Sequence, residues 1–285
     1  FQAEDGIRDC LLSRGLGDVY KRQAFAGPRI ENYYMYITPS IYKPGALKAF
    51  KLGGNSNFGA STDVGYGFKY ETDGGFAIAS NIVDKSADST GIREGTTGML
   101  GVYGVYKWDT QVAYTTDRWH VSATLSDAQN WTSQQYNATA FGEDTAADST
   151  GYALRAYWRP ENSGTATPEV SIGYDTKTFE GGATGAAKEA DSYMIGLNWN
   201  DMFQPDDRIG FALTQPLKVT AVVGGGAVTE VDPLLWELYY SFKPNDSMSI
   251  TPAVFGGSDS WADKEDDTFG AVSYTHLTLP TKRIV

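Results

Sequence analysis

Between residues 191 and 243, apolar and polar positions alternate with a period of two. Tyr193, Ile195, Leu197 and Trp199 take one parity; Met194, Gly196, Asn198 and Asn200 take the other. Beyond Gln204-Pro205-Asp206-Asp207, Ile209, Phe211 and Leu213 alternate with Gly210, Ala212 and Thr214. A Gly-rich, acid-tipped loop follows. Trp236, Leu238, Tyr240 and Phe242 then share one parity, with Glu237, Tyr239 and Ser241 on the other. Successive side chains of a strand point to opposite faces, so each predicted strand has one apolar face and one face of polar and small residues. A transmembrane β-barrel with a water-filled lumen asks for that division.

The same alternation recurs from Thr62 onward. Val64, Tyr66, Phe68 and Tyr70 stand against Gly65, Gly67 and Lys69, and lead into the turn Thr72-Asp73-Gly74-Gly75. Phe76, Ile78 and Ile82 return. Residues 99–115 are β-rich and read as one long strand or two. After Thr116-Asp117, Trp119, Val121, Ala123 and Leu125 oppose His120, Ser122 and Thr124. Tyr152, Leu154, Ala156 and Trp158 oppose Ala153, Arg155, Tyr157 and Arg159. Val170, Ile172 and Tyr174 follow, then Met248, Ile250 and Val254 after the turn at 243–246, and a last strand starts at Phe269. Residues 24–61 lack the pattern and read as a loop folded over or into something, either a constriction or a surface loop. Residues 44–50 fit one helical turn.

Connections alternate short and long, as the two ends of an outer-membrane barrel do. Phe76, Trp119, Trp158, Trp199, Tyr240 and Phe242 fall near the short-turn ends. Amphipathic rings favour the headgroup level, so this placement predicts an interfacial aromatic girdle. The reading is all-β: a transmembrane antiparallel β-barrel with about 11 or 12 strands present.

Composition agrees. The chain has 285 residues, 32 Gly, 18 Tyr and 7 Trp, with 20% charged residues. Its net charge of −12 argues against a nucleic-acid surface, which clusters Lys and Arg. Cys10 is the single cysteine, so no internal disulfide forms. No apolar stretch is long enough for a transmembrane helix. The mean hydropathy of −0.35 does not argue against a barrel, whose strands carry a weak hydropathy signal.

The segments ITPSIYKPGALKAFKLGG (37–54), TGYALRAYWRPENSGTATPEVSIGYDT (150–176), DMFQPDDRIGFALTQPLK (201–218) and YSFKPNDSMSITPAVFGG (240–257) resemble cyanobacterial porins of the carbohydrate-selective, OprB-type family. Close relatives of that family are often labelled iron-uptake porins. The resemblance spans about residues 30–271. It implies an outer-membrane location, a barrel of about 16 strands when complete, and passive diffusion of carbohydrates or inorganic ions. It also implies contact with outer-membrane lipid, a possible homotrimer, no cofactor and no catalytic motif. Family members usually carry an N-terminal surface-layer-homology domain and a short coiled coil, so the resemblance implies cell-wall attachment only through such a domain, which the expected truncation removes. Residues 1–23, FQAEDGIRDCLLSRGLGDVYKRQ, and 272–285, VSYTHLTLPTKRIV, closely resemble translated sequencing-adapter read-through at the ends of metagenomic reading frames. The expected division is therefore a non-native 1–23, a partial porin barrel over 24–271, and a non-native 272–285.

Candidate chemistry is sparse. His120 and His276 are the only histidines, and Ser-His-Asp or zinc constellations lack their parts. The Gly run within 223–228 does not join a strand to a helix, so it is no phosphate loop. The expectation is a non-enzyme. Parity assigns Asp63, Lys69, Arg155, Tyr157, Arg159, Glu237 and Tyr239 to the pore lining. It assigns Tyr193, Ile195, Leu197, Trp199, Trp236, Leu238 and Tyr240 to the lipid face. Lumen charges set ion preference, with paired charges as the plain alternative, whereas sugar preference would rest on stacking by Tyr157 and Tyr239. Acidic loop residues Glu143, Asp144, Asp148, Asp259, Asp263, Glu265, Asp266 and Asp267 would concentrate cations at the mouth, or simply face solvent. The reading from a different class is a soluble, carbohydrate-binding β-sandwich.

Overall fold

The computed structural model describes residues 21–54, 62–85, 104–132, 146–228, 233–258 and 267–277. Its twelve strands are β1 (Arg22–Glu31), β2 (Thr62–Glu71), β3 (Phe76–Asp84), β4 (Tyr106–Thr115), β5 (Trp119–Thr132) and β6 (Ala146–Trp158), followed by β7 (Glu169–Glu180), β8 (Ala187–Asn200), β9 (Arg208–Val222), β10 (Leu234–Asn245), β11 (Met248–Ser258) and β12 (Thr268–Leu277). They form one antiparallel sheet in sequence order. Among the described residues, β1 and β12 each pair on one side only. The β-sandwich alternative is thereby corrected: the described strands make one sheet, and no second sheet among the described residues covers its apolar face.

Most strands are long enough to cross a hydrocarbon core, which takes roughly 9–11 tilted residues. Short turns join β2 to β3, β4 to β5, β8 to β9 and β10 to β11 at one end. Thr72 holds the first of these: its Oγ1 donates to the Phe76 carbonyl at 2.9 Å and accepts from the Phe76 N–H at 3.0 Å. Gly75 sits there at φ +86° with the Thr115 carbonyl against it, a place no Cβ fits.

The alternation read from the sequence has a physical cause in the register. One cross-strand row runs Phe76, Tyr114, Val121, Ala156, Ile172, Ile195, Leu213, Trp236, all on the outer face. Many of these large apolar side chains stand exposed; Ile195 is 44% exposed and Ile172 48%. A water-soluble monomer rarely shows so extended an apolar surface. Aromatic rings gather at the short-turn end of this face. Tyr114 meets Trp119 at 5.3 Å, Tyr240 stacks on Phe242 at 5.3 Å, and the Arg118 guanidinium lies over Trp158.

Residues 55–61 lie outside the described residues, and residues 24–54 depart from the loop expected over 24–61. Their start is β1, paired with β2 from Arg22↔Tyr70 to Glu31↔Thr62. Its outward positions include Ala24, Ala26 and Pro28, too small to mark an apolar face, and the register shifts between Gly27 and Ile30. Residues 32–54 then fold back over the concave face of the sheet, with a 3-10 turn at Asn32–Met35 and another at Lys48–Gly53. β1 takes in Arg22 and Gln23, and β12 runs through residues 272–277.

Candidate functional site

The site is the inner face of the sheet together with the segment 32–54 laid across it. The segment carries peptide N–H and C=O groups into a covered space, and each needs a partner there. The inner face supplies them. Glu237, fully buried on β10, accepts from the Tyr42 hydroxyl at 2.7 Å and from the N–H groups of Gly45, Ala46 and Leu47 at 2.9, 3.0 and 2.8 Å. Burial, and then the neighbouring Glu237 charge, push the Tyr42 hydroxyl up, which keeps it a neutral donor. Tyr239 donates to the Lys43 carbonyl at 2.5 Å and accepts from Asn198 Nδ2 at 2.9 Å. Ser171 Oγ accepts from the N–H groups of Ile41 and Tyr42, each at 3.2 Å. Gln111 grips Ile37 at both its N–H and its C=O.

The other end of the segment is held by a buried ion pair. Arg155 on β6 reaches Asp175 on β7 through Nη2, at 3.0 Å to Oδ1 and 2.8 Å to Oδ2. The same guanidinium donates to the carbonyls of Leu52 at 2.9 Å and Gly54 at 2.6 Å. Ser192 donates to Asp175 at 3.2 Å. Two charges removed from water need such complete pairing. Gly173 lets the backbone come this close: a Cβ there would lie 1.8 Å from the Gly53 carbonyl oxygen. A second pair, Lys107 to Asp109 at 3.7 Å on β4, lies nearby, and Tyr36 donates its hydroxyl to Asp109. Lys177 on β7 stands over the Phe179 ring at 5.5 Å.

The structure brings together Arg155, Glu237 and Tyr239, all three beneath the segment and buried. Arg155 therefore faces Asp175 and peptide carbonyls rather than open lumen water. Tyr157 is buried too, stacked on His120 at 4.9 Å with the Arg159 guanidinium over its ring. Arg159 and Asp63 are half-buried near opposite ends of the inner face. Lys69 pairs with Glu71 at 3.0 Å and lies apart from the others. On the outer parity, Tyr193, Ile195 and Leu238 are exposed, while Leu197, Trp199, Trp236 and Tyr240 are half-exposed. Trp199 donates to the Ala166 carbonyl at 2.9 Å, and Tyr240 to Asp207 at 3.0 Å. Among the acidic loop residues, Asp148 and Asp267 are described and exposed; Glu143, Asp144, Asp259, Asp263, Glu265 and Asp266 lie outside the described residues.

Sequence reasoning missed Asp175, Lys107, Asp109, Lys177 and the whole partner set on 32–54. A signal existed for the strand residues. Lys107, Asp109 and Gln111 share one parity, as do Asp175 and Lys177, and charge on the polar parity of two neighbouring regions marks a lined lumen.

Comparison with known proteins bears on the fold. A solved structure described as OmpTdeltaL8, a loop L8 deletion mutant of OmpT, an outer membrane protein of Vibrio cholerae, is similar at 12% sequence identity, with a TM-score of 0.52 over 90% of this chain and 76% of that one. No protein-family model and no curated protein matches the chain. The chain has the fold of an outer-membrane β-barrel. With its apolar outer face and aromatic belt, that fold puts it in the outer membrane.

Proposed function

We propose that these twelve strands are the greater part of an outer-membrane pore through which small polar solutes diffuse passively, with no bond made or broken. The supporting observation is the contrast between the faces. The outside is apolar, while the inside carries Lys107, Asp109, Arg155, Asp175, Lys177 and Glu237. A bilayer protein gains nothing from buried charges unless something polar passes or is held there. In this reading, 32–54 is the constriction that narrows the lumen, and the barrel is closed by pairing of its two open edges through further strands, as the likeness to OprB-type porins implies.

Inorganic ions are favoured over sugars as the solute. A sugar would stack on inward aromatic faces, yet Tyr157 is covered by His120 and Arg159, and Tyr239 lies against Gly45. Charged side chains in opposed pairs suit small ions better.

The test is single-channel recording of the full gene product in planar bilayers. Stepwise conductance that grows with salt concentration, and is not reduced by millimolar mono- or disaccharide, is the expected result. A correctly folded, membrane-inserted protein without any conductance would overturn the pore reading.

A further inference from the structure

The segment 32–54 satisfies the wall it covers unevenly, and the unevenness has a pattern. On β10, β7, β6 and β4 it meets polar wall groups with polar groups of its own. Single unpartnered atoms remain on β4 and β6, at Asp109 Oδ1 and Ser149 Oγ, but on β5 three inward residues in a row receive no polar partner from the segment among the described residues. His120, Ser122 and Thr124 are consecutive inward positions of that strand, and all are buried. His120 Nδ1 is 2.7 Å from Thr115 Oγ1, but its Nε2 has no partner among the described residues. Nor, among these residues, do Ser122 Oγ and Thr124 Oγ1. Buried hydroxyls and imidazole nitrogens are almost always hydrogen-bonded, because leaving them dry costs free energy.

The neighbours show what lies over this column. Ser122 stands between Ala113 and Arg155 across the sheet, and Thr124 between Gln111 and Ala153. Ile37 packs on Ala77, Ala79 and Ala113, while Tyr36 and Leu52 pack on Ala153. The wall beside the column is alanine at Ala113 and Ala153, and there the segment adds apolar contacts to the hydrogen bonds that Ile37 makes with Gln111 and Tyr36 with Asp109. Two residues hold this stretch, against the three peptide N–H groups and the Tyr42 hydroxyl that Glu237 gathers. The inward positions of one strand lie about 6.6–6.8 Å apart, too far for a direct hydrogen bond between neighbouring hydroxyls and a spacing that a short chain of waters spans.

We infer that the solute path runs along β5, between the wall and residues 36–52, with His120, Ser122 and Thr124 as its lining. The proposal rests on the pore reading and adds a location to it. Displacement of residues 36 and 37 from this wall, with loss of the Ile37–Gln111 and Tyr36–Asp109 hydrogen bonds, opens the column to water, while the anchors on β10 and β6 stay made. The flanking charges are already neutralised, Arg155 by Asp175 and Asp109 by Lys107. The column therefore offers dipoles rather than net charge, and it suits water and small inorganic ions of either sign.

Cysteine accessibility tests this on the membrane-inserted protein, in a Cys10→Ser background. A small water-soluble methanethiosulfonate is added to phosphatidylcholine vesicles holding Ser122→Cys, Thr124→Cys, Val121→Cys or Ala212→Cys. Val121 faces outward, and Ala212 faces inward under the firmly anchored part of the segment. Ser122→Cys and Thr124→Cys should label to completion under conditions that leave Val121→Cys and Ala212→Cys unlabelled. Retained β-sheet circular dichroism certifies each variant. Two results overturn the path: unlabelled 122 and 124, or equal labelling at 212, which would mean a generally loose interior. Recordings on the full gene product separate the two claims. Labelling without current rejects the pore reading alone, whereas current without labelling moves the path away from β5. Where both hold, the reagent should reduce the current of Thr124→Cys and leave that of Val121→Cys unchanged.

Discussion

At the scale of the residue, the carboxylates decide the behaviour of the inner face and of one turn. Glu237 accepts four donors from a segment about 190 residues away in sequence. Glu237→Ala strands those donors in a covered space. It should cost on the order of 3 kcal/mol, read from urea unfolding in vesicles, since each orphaned buried donor is expensive. Glu237→Gln keeps one acceptor oxygen and should lose clearly less. Equal losses would mean that the carboxylate does not anchor the segment. Asp207 plays a similar part in the β8–β9 turn. It accepts from the N–H groups of Met202, Phe203 and Gln204 at 2.8, 3.0 and 3.1 Å and from the Tyr240 hydroxyl at 3.0 Å. Burial pushes this carboxyl up, but the donors outweigh it and hold it below the usual carboxylate range. A carboxyl lowered in the folded state adds stability that is fully present above its unfolded value of about 3.9 and is lost as pH falls through the lower folded value. Asp207→Asn should therefore cost about 1.5–3 kcal/mol at pH 7. The gap to the parent should close as pH falls below the unfolded value. A gap of constant size across that range would assign the turn's stability to packing instead.

At the scale of the element, each strand is a two-sided object, and substitutions read out which side they touch. Ile195 is on the outer face near mid-strand, so Ile195→Arg should cost roughly 2–4 kcal/mol in a bilayer, falling toward zero nearer the interface. Asn198 lies on the inward parity of the same strand. It is buried and donates to Tyr239, which in turn holds Lys43, so a large side chain there disturbs the segment. Gly173→Ala reaches the same segment from β7, where the added Cβ meets the Gly53 carbonyl and the Arg155 side chain. Faster limited proteolysis within 32–54 with unchanged sheet circular dichroism is the expected outcome, and an unchanged cleavage pattern would show that the contact relaxes freely. The faces of β5 to β10 were legible because a two-residue period is local. Tyr193 and Met194 announce opposite sides without any knowledge of the fold. β1 was not legible: small outward residues and a register shift at Pro28 blur its period. Nor was the position of 32–54, whose partners Gln111, Ser171 and Glu237 lie 74 to about 190 residues away.

At the scale of the whole molecule, the sheet poses a problem that its own edges define. Among the described residues, no strand pairs with the outer edge of β1 or of β12, and Tyr274, Phe269 and Leu277 of β12 stand exposed. In hydrocarbon every unsatisfied peptide group costs several kcal/mol, which is why membrane sheets close. Sequence could show the number of strands nearly correctly, because each strand carries its own period. It could not show closure, because closure depends on register and curvature summed over all strands. Amide hydrogen exchange on the 285-residue chain in detergent micelles distinguishes the arrangements. With the edges open, water and detergent headgroups reach one side of β1 and β12, and their outward-pointing amides should exchange far faster than those of β5 to β8. The protection should rise from either edge inward over the first neighbouring strand. Uniform protection across all twelve strands would mean that β1 and β12 pair directly. The lumen would then be that of a twelve-stranded barrel, narrow enough for 32–54 to fill, and the pore would depend on movement of that segment alone.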